Sequence, residues 1–309
     1  MTAATRSGVS DSRDAFRGGR GGVKDGAIAF DFDGTLIHSG SDKGVHIMYA
    51  VYEACAATRF RQFLHSHEPG RDVERLLRGL LQYPGAPRFQ QIVALLNSLI
   101  HDRPLAVEAP DGLALDPDLS AEYASLRRTC DATYTALNDA AAKYWKAFPA
   151  ALETLPMLAA DFDLYIASGV LQDILETDLA RHGYDRRLFQ CVWGTARQEG
   201  GDKAELLGWI RARGYSDVLF VADANRDLEY ARKAGVKFYR IRCSEDFLQL
   251  SVSVRRSFPN QAEPWGWTEA DKEFFRSRTR RLVDALLSGK PLSPTEGADV
   301  VHAERPAGR

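Results

Sequence analysis

Residues 27–36 read Ala27-Ile-Ala-Phe-Asp31-Phe-Asp33-Gly-Thr-Leu36. The apolar run Ala27 to Phe30 has the pattern of a buried strand. It ends in two carboxylates, Asp31 and Asp33, and Gly34 then breaks the strand. Strand side chains alternate, so the two acids share a face if the strand continues, and a loop at its end can aim both at one point. Paired acids at the end of a buried strand are costly unless a metal or a reaction needs them. On its own, Asp33-Gly34 is also ordinary turn chemistry. The rest of the chain decides between the two.

Downstream, strand and helix patterns alternate. Pro149 suits the first turn of a helix, and Pro156 should kink or shorten it. Phe162 to Ala167 is a strand ending in Ser168-Gly169, followed by a helix from Val170 to His182 that Gly183 closes. Phe189 to Trp193 is a short strand. Asp202-Lys-Ala-Glu has capping-box-like spacing and opens a helix to Arg213. Asp217 to Ala222 is a strand ending in Asp223, Asn225 to Ala234 a helix closed by Gly235, and Val236 to Ile241 the last clear strand. This alternation predicts an α/β fold, a parallel sheet with helices on both faces. In such sheets ligands bind outside the carboxyl ends of the strands.

The remaining segments differ in kind. Residues 1–24, rich in Ser, Arg and Gly, read as a disordered tail, and 289–309 as a flexible one. Ile37 to Gly44 is a polar loop, with His38 expected in solvent. Strand signals vanish over 42–146, where helical spacing takes over: Val45 to His65, Val73 to Leu81, Phe89 to Ile100, and Leu119 to Phe148 with Asp118 as N-cap. This block is large enough for an all-α domain inserted into the α/β core, which itself spans 25–41 and 147–288. Its arginines, among them Arg59, Arg75 and Arg127, read mainly as solvated helix faces. From about 244 the core carries a helical extension, whose last part, Thr268 to Ser288, is amphipathic.

Composition narrows the classes. The chain has 309 residues, 45% hydrophobic and 27% charged, with a formal net charge of -2. That balance makes no case for nucleic acid or an anionic membrane as partner. No apolar run is long enough to span a bilayer, and the N-terminus lacks the apolar core of a signal peptide. The cysteines, Cys55, Cys130, Cys191 and Cys243, are scattered without metal-type pairing. They read as reduced thiols, so a cytoplasmic location is expected.

Four polar sites fall at ends of these elements: Asp31 and Asp33; Ser168; Lys203; and Asp223 with Asp227. A parallel sheet would bring all four to its carboxyl edge. One carboxylate plus a metal can attack phosphorus, with Asp31 as nucleophile forming an aspartyl-phosphate. Acids facing a phosphate repel it unless a hard cation intervenes, most naturally Mg²⁺. Asp223 completes a metal site with Asp31 and Asp33, and Asp227 stands in its outer shell or bonds to Lys203. Ser168 and Lys203 hold the transferring oxygens, with Gly169, Gly34 and Thr35 as further phosphate-binding positions. Asp33 protonates the leaving alcohol and then activates water. Each piece has a plainer reading: Ser168-Gly169 as a helix cap, Lys203 as an exposed lysine beside Asp202, Asp223 and Asp227 as caps of the next helix. Order and placement together favour chemistry.

Asp31-Phe-Asp-Gly-Thr-Leu, Ile166-Ala-Ser-Gly, Lys203 and Asp223-Ala-Asn-Arg-Asp227 resemble the four motifs of the haloacid dehalogenase-like hydrolase superfamily. The resemblance covers roughly 26–41 and 147–243. It implies a Rossmann-like core, Mg²⁺ dependence and an aspartyl-phosphate intermediate, with the Asp33 backbone carbonyl also on the metal. It also implies that the helical insertion is a type 1 cap. The chain departs from the pattern at Ala222, where the family usually has glycine, and in its long insertion and C-terminal extension.

Asp33 separates readings within that superfamily. Phosphatases and phosphomutases carry Asp two residues after the nucleophile, whereas its dehalogenases, phosphonatases and P-type ATPases carry other residues. The expected function is therefore hydrolysis of a small phosphorylated metabolite, by a monomer or homodimer, with a phosphomutase as the alternative. A non-catalytic binding protein on this fold should have lost a motif acid or the lysine, and none is lost here. RNA association through the Arg/Gly tail rests on a few residues only.

Overall fold

The computed structural model describes residues 24–56, 120–195 and 203–266, with Gln91, Ala94, Leu95 and scattered positions between 268 and 288. The expected tails (Lys24 excepted), most of the helices expected over 57–119 and the capping residues Asp118 and Asp202 lie outside the described residues.

The described strands are β1 (Gly26–Phe30), β2 (Asp163–Leu171), β3 (Phe189–Thr195), β4 (Asp217–Ala222) and β5 (Lys237–Arg240). They form one sheet in the order β3-β2-β1-β4-β5, and every pairing is parallel. The fold is thus α/β with a Rossmann-like parallel sheet. β1 is central and fully buried, which is why it reads as an unbroken apolar run. Its side chains alternate between two cores. Ile28 and Phe30 join Leu164, Ile166, Leu219 and Val221 under helices α3 (Pro149–Asp161) and α7 (Glu245–Ser253). Ala27 and Ala29 join Tyr165, Ala167 and Phe220 under α5 (Lys203–Arg211) and α6 (Asn225–Ala234). Burying side chains such as Ile28 and Phe30 contributes about 2 kcal/mol each.

The chain runs from β1 outward through β2 and β3, then returns to β4 on the other side of β1. The crevice between β1 and β4 is therefore the topological switch point of the sheet, where such folds bind ligands. Asp31 follows β1 and Asp223 follows β4. Asp31 N donates to Val221 O at 2.9 Å, which ties the two strand ends together.

Several expectations are corrected. β2 does not stop before Ser168; it stays extended to Leu171, which pairs with Thr195 after a register irregularity, and α4 (Gln172–Arg181) starts there. Gln172 fixes the junction, its amide donating to Val192 O at 3.0 Å and its carbonyl accepting from Gly194 N at 2.6 Å. Pro156 does not shorten α3, which continues to Asp161. Pro156 faces solvent, where water can take the carbonyl it leaves unbonded. The helix expected over 119–148 is α2 (Ser120–Ala142) and stops earlier. Lys24, assigned to the tail, instead donates to the carbonyls of Ala159 and Phe162, serving the end of α3 as cations do at helix C-termini.

The polar loop expected over 37–44 is shorter than its composition suggested. Helix α1 (Gly40–Ala56) already begins at Gly40, and Lys43 N donates to Ser39 O at 3.1 Å in its first turn. α1 packs on α2. The strands of chain entering and leaving the inserted block run side by side: Ile37 bridges Ala147, His38 N donates to Lys146 O at 3.0 Å, and Phe148 N to Leu36 O at 3.1 Å. His38 is not a free solvent residue; its ring lies 3.7 Å from that of Phe148.

Candidate active site

The site is assembled from the loops after β1 and β4 and the first turns of α5 and α6. Asp31 Oδ1 accepts from Phe32 N at 2.8 Å, a bond to the adjacent backbone that orients the carboxylate. Its Oδ2 lies 2.9 Å from Lys203 Nζ, and the same ammonium donates to Asp227 Oδ1 at 2.7 Å. Lys203 also stands 5.9 Å over the Phe220 ring, whose face favours a cation. One lysine at the start of α5 thus bridges an acid from β1 and an acid from α6. The plainer reading of Lys203 as a surface residue fails, since its side chain is only 13% exposed. The capping reading of Asp223 and Asp227 fails too: Ala224 is the N-cap of α6 and no side chain caps it.

Asp31, Asp223 and Asp227 each offer a carboxylate oxygen within 4.8 Å of the others, close enough to share one ion. Gly34 explains how they come so close. It has φ of 74°, a left-handed conformation, and a Cβ there would collide with the Asp223 carboxylate. The loop after β1 can therefore lie against the loop after β4 only with glycine at this position.

The electrostatics tests whether a cation fits. Burial pushes the Asp31 carboxyl up to about 7, against the opposing pull of Lys203 and with Asp227 adding to the rise. Burial likewise raises Asp223 well above the carboxylate range, with Asp31 and Asp227 adding to it. Burial disfavours the Lys203 ammonium, but Asp227 and Asp31 outweigh it and hold its pKa above the ordinary lysine value. One lysine among these three acids leaves the cluster short of positive charge. Oxygen ligands of this kind suit a hard divalent ion such as Mg²⁺.

The other expected site residues are placed differently. Asp33 turns to the inserted block: its carboxylate accepts from Ser39 Oγ at 2.6 Å and forms an ion pair with Lys43. Lys43 stands 5.0 Å over the Trp145 ring, and burial against it is outweighed by Asp33, so its pKa rises. Ser168 is buried and its Oγ accepts from Val170 N at 3.2 Å, leaving its own proton to donate elsewhere. Gly169 is exposed beside it at the irregular end of β2. Thr35 is fully buried, and its Oγ1 has no hydrogen-bond partner among the described residues. A buried hydroxyl in that state costs about 1–3 kcal/mol.

Ser39 and Lys43 escaped the sequence reading because their segment reads as a loop. A signal was present. Lys43, Ile47, Ala50, Val51 and Ala54 lie on one helical stripe, and extending the periodicity backwards puts Lys43 on the buried side.

No family model matches the chain, and no curated protein matches it. Solved structures similar to it include a haloacid dehalogenase-like family hydrolase from Streptococcus pneumoniae, 17% identical, with 77% of this chain and 99% of that one covered and a TM-score of 0.45. Another is a subfamily IA hydrolase of the same superfamily from Geobacter sulfurreducens, 17% identical, covering 74% of this chain and 96% of that one at a TM-score of 0.42. A third, described as a predicted phosphoglycolate phosphatase from Haemophilus somnus, is 19% identical, with 71% and 85% covered and a TM-score of 0.44. Among the described residues no helix is long and apolar enough to cross a membrane.

Proposed function

We propose that this chain is a Mg²⁺-dependent phosphatase of the haloacid dehalogenase-like type, hydrolysing a small phosphomonoester through an aspartyl-phosphate on Asp31. The observation that carries the reading is Lys203, which bridges Asp31 and Asp227 while Asp223 completes an acid cluster at the switch point of the sheet. A purely structural ion pair would need one acid for one lysine, not three.

In this reading Asp31, Asp223 and Asp227 hold the ion, which when bound neutralises the acids facing the phosphate and polarises a phosphoryl oxygen. Asp31 attacks phosphorus through its unprotonated carboxylate; the Oδ–P bond forms as the P–O ester bond breaks. Lys203 and the Ser168 hydroxyl steady the phosphoryl oxygens, as charge and donor respectively. Asp33, freed from its ion pair with Lys43 and protonated when substrate binds, gives its proton to the departing alkoxide. It then takes a proton from the water that cleaves the aspartyl-phosphate, which restores both carboxyls. Ser39 and Lys43 hold Asp33 before it acts. The inserted helical block serves as the cap over the substrate, and enclosure of that kind fits a small phosphorylated metabolite.

The test is phosphate release from a panel of phosphorylated metabolites, with Mg²⁺ or with EDTA, by wild type and Asp31→Asn. Release that needs Mg²⁺ and falls on the order of 10³-fold or more in the variant is expected. Release that survives the substitution overturns the mechanism.

A further inference from the structure

Beyond β5 the chain does not leave the core. Asn260 and Gln261 run along the free edge of β5: Phe238 N donates to Asn260 Oδ1 at 3.2 Å, Gln261 N to Phe238 O at 2.8 Å, and Arg240 N to Gln261 Oε1 at 2.7 Å. Arg232, on α6, donates to Ala262 O. The segment then reaches Trp265, whose ring stacks 6.0 Å from that of Phe238 and lies 3.9 Å under the Arg240 guanidinium. At that point it closes a reciprocal pair with Asn225. The Asn225 amide donates to Trp265 O at 2.7 Å, and Trp265 N donates to Asn225 Oδ1 at 3.1 Å.

Asn225 stands midway between Asp223 and Asp227 and is the first residue of α6. Among the described residues, both ends of the Asn225 amide go to the C-terminal strap and no hydrogen bond ties it to the sheet or to α5. We infer that Asn225 and Trp265 are positioning residues for the acid cluster: the strap over β5 fixes the loop that carries Asp223 and Asp227, and thereby sets how tightly the site holds a divalent cation. Trp265 anchors the strap through its ring, and Asn225 transmits that anchorage through its amide. Partners that orient ligands without touching the metal commonly govern its affinity. The inference rests on the metal site of the proposed function.

The experiment is Mn²⁺ binding to the full chain, followed by electron paramagnetic resonance, for wild type, Asp223→Asn, Asn225→Ala, Trp265→Ala, Trp265→Phe and the Asn225→Ala/Trp265→Ala double variant. Wild type binds and Asp223→Asn does not. Asn225→Ala and Trp265→Ala each weaken Mn²⁺ binding about 10-fold. The double variant loses no more than either single one, because both break the same linkage. Trp265→Phe, which keeps a ring between Phe238 and Arg240, retains wild-type affinity. Hydrogen exchange of the amides at 223–227, measured without metal, rises in Trp265→Ala and not in Trp265→Phe, and does so whether or not a variant is stable enough for titration. If wild type fails to bind Mn²⁺, the metal site and this inference fall together. If wild type binds and Asn225→Ala and Trp265→Ala bind equally well, or exchange at 223–227 is unmoved, the strap is overturned and the metal site stands.

Discussion

Asp31 and Asp33 are two residues apart, yet they belong to different neighbourhoods. Asp31 is held from within the core, by its own backbone neighbour and by Lys203, which also grips Asp227. Asp33 is held from the inserted block, by Ser39 and by Lys43 of α1. The two acids would share a face if the strand ran on, but it ends at Phe30 and turns at Gly34, so one can face the sheet crevice and the other the first turn of the next helix. The difference shows how one short stretch can supply two carboxyls with separate controls. On the proposed mechanism, the nucleophile Asp31 needs rigidity beside the cation site. The acid–base group Asp33 instead acts in turn on an alcohol and a water, and can be governed independently by a partner on another element.

Lys203→Met attacks the core side of that comparison, with the larger expected effect. It leaves buried carboxylates without their compensating charge, a change that costs about 3–5 kcal/mol. Chemical unfolding of the metal-free protein should show that loss, and added Mg²⁺ should restore part of it. A variant as stable as wild type would mean that Lys203 does not hold the cluster.

Lys43→Met attacks the other side. It should lower kcat about 10- to 100-fold while leaving KM within about threefold, because it disturbs a proton-transfer group without removing a phosphate ligand. Lys43→Arg should recover much of the loss. A fall in Mg²⁺ affinity as large as that of Lys203→Met would erase the distinction between the two neighbourhoods.

The last effect is on pH. The folded-state pKa of Asp31 is raised from its ordinary value to about 7, by burial above all. Such a group favours folding below its unfolded pKa, and that contribution is lost as pH rises towards the folded value. Metal-free protein should therefore weaken between about pH 4 and pH 7, by at most about 1.4 kcal/mol per pH unit from this group. Asp31→Asn should flatten the difference, and Mg²⁺ should stabilise wild type more at pH 7.5 than at pH 5. Parallel stability curves for wild type and Asp31→Asn would refute the assignment of the buried charge to Asp31.

The core elements were legible because their signals are local. An apolar run such as Ala27 to Phe30 has few alternatives to a buried strand, and Gly235 ends its helix in the left-handed conformation with φ of 66°. The candidate acids and Lys203 were legible because strand ends in a parallel sheet converge whatever lies between them. The extension of β2 to Leu171 was not, since it depends on β3 staying alongside. Nor was the helical start at Gly40: glycine and serine argue for a loop, and the pairing of Lys43 with Asp33 works against that propensity.

By itself, then, the sequence determined the order of strands and helices, the α/β class and the set of polar residues that a parallel sheet gathers at one edge. Those follow from periodicity and turn chemistry over a few residues. Only the tertiary structure decided which acid meets which cation. Lys203 goes to Asp31 and Asp227, Lys43 goes to Asp33, and Asn225 goes to Trp265, forty residues further along the chain. Such pairings depend on which loops lie face to face once the sheet has closed, and no local pattern encodes that distance.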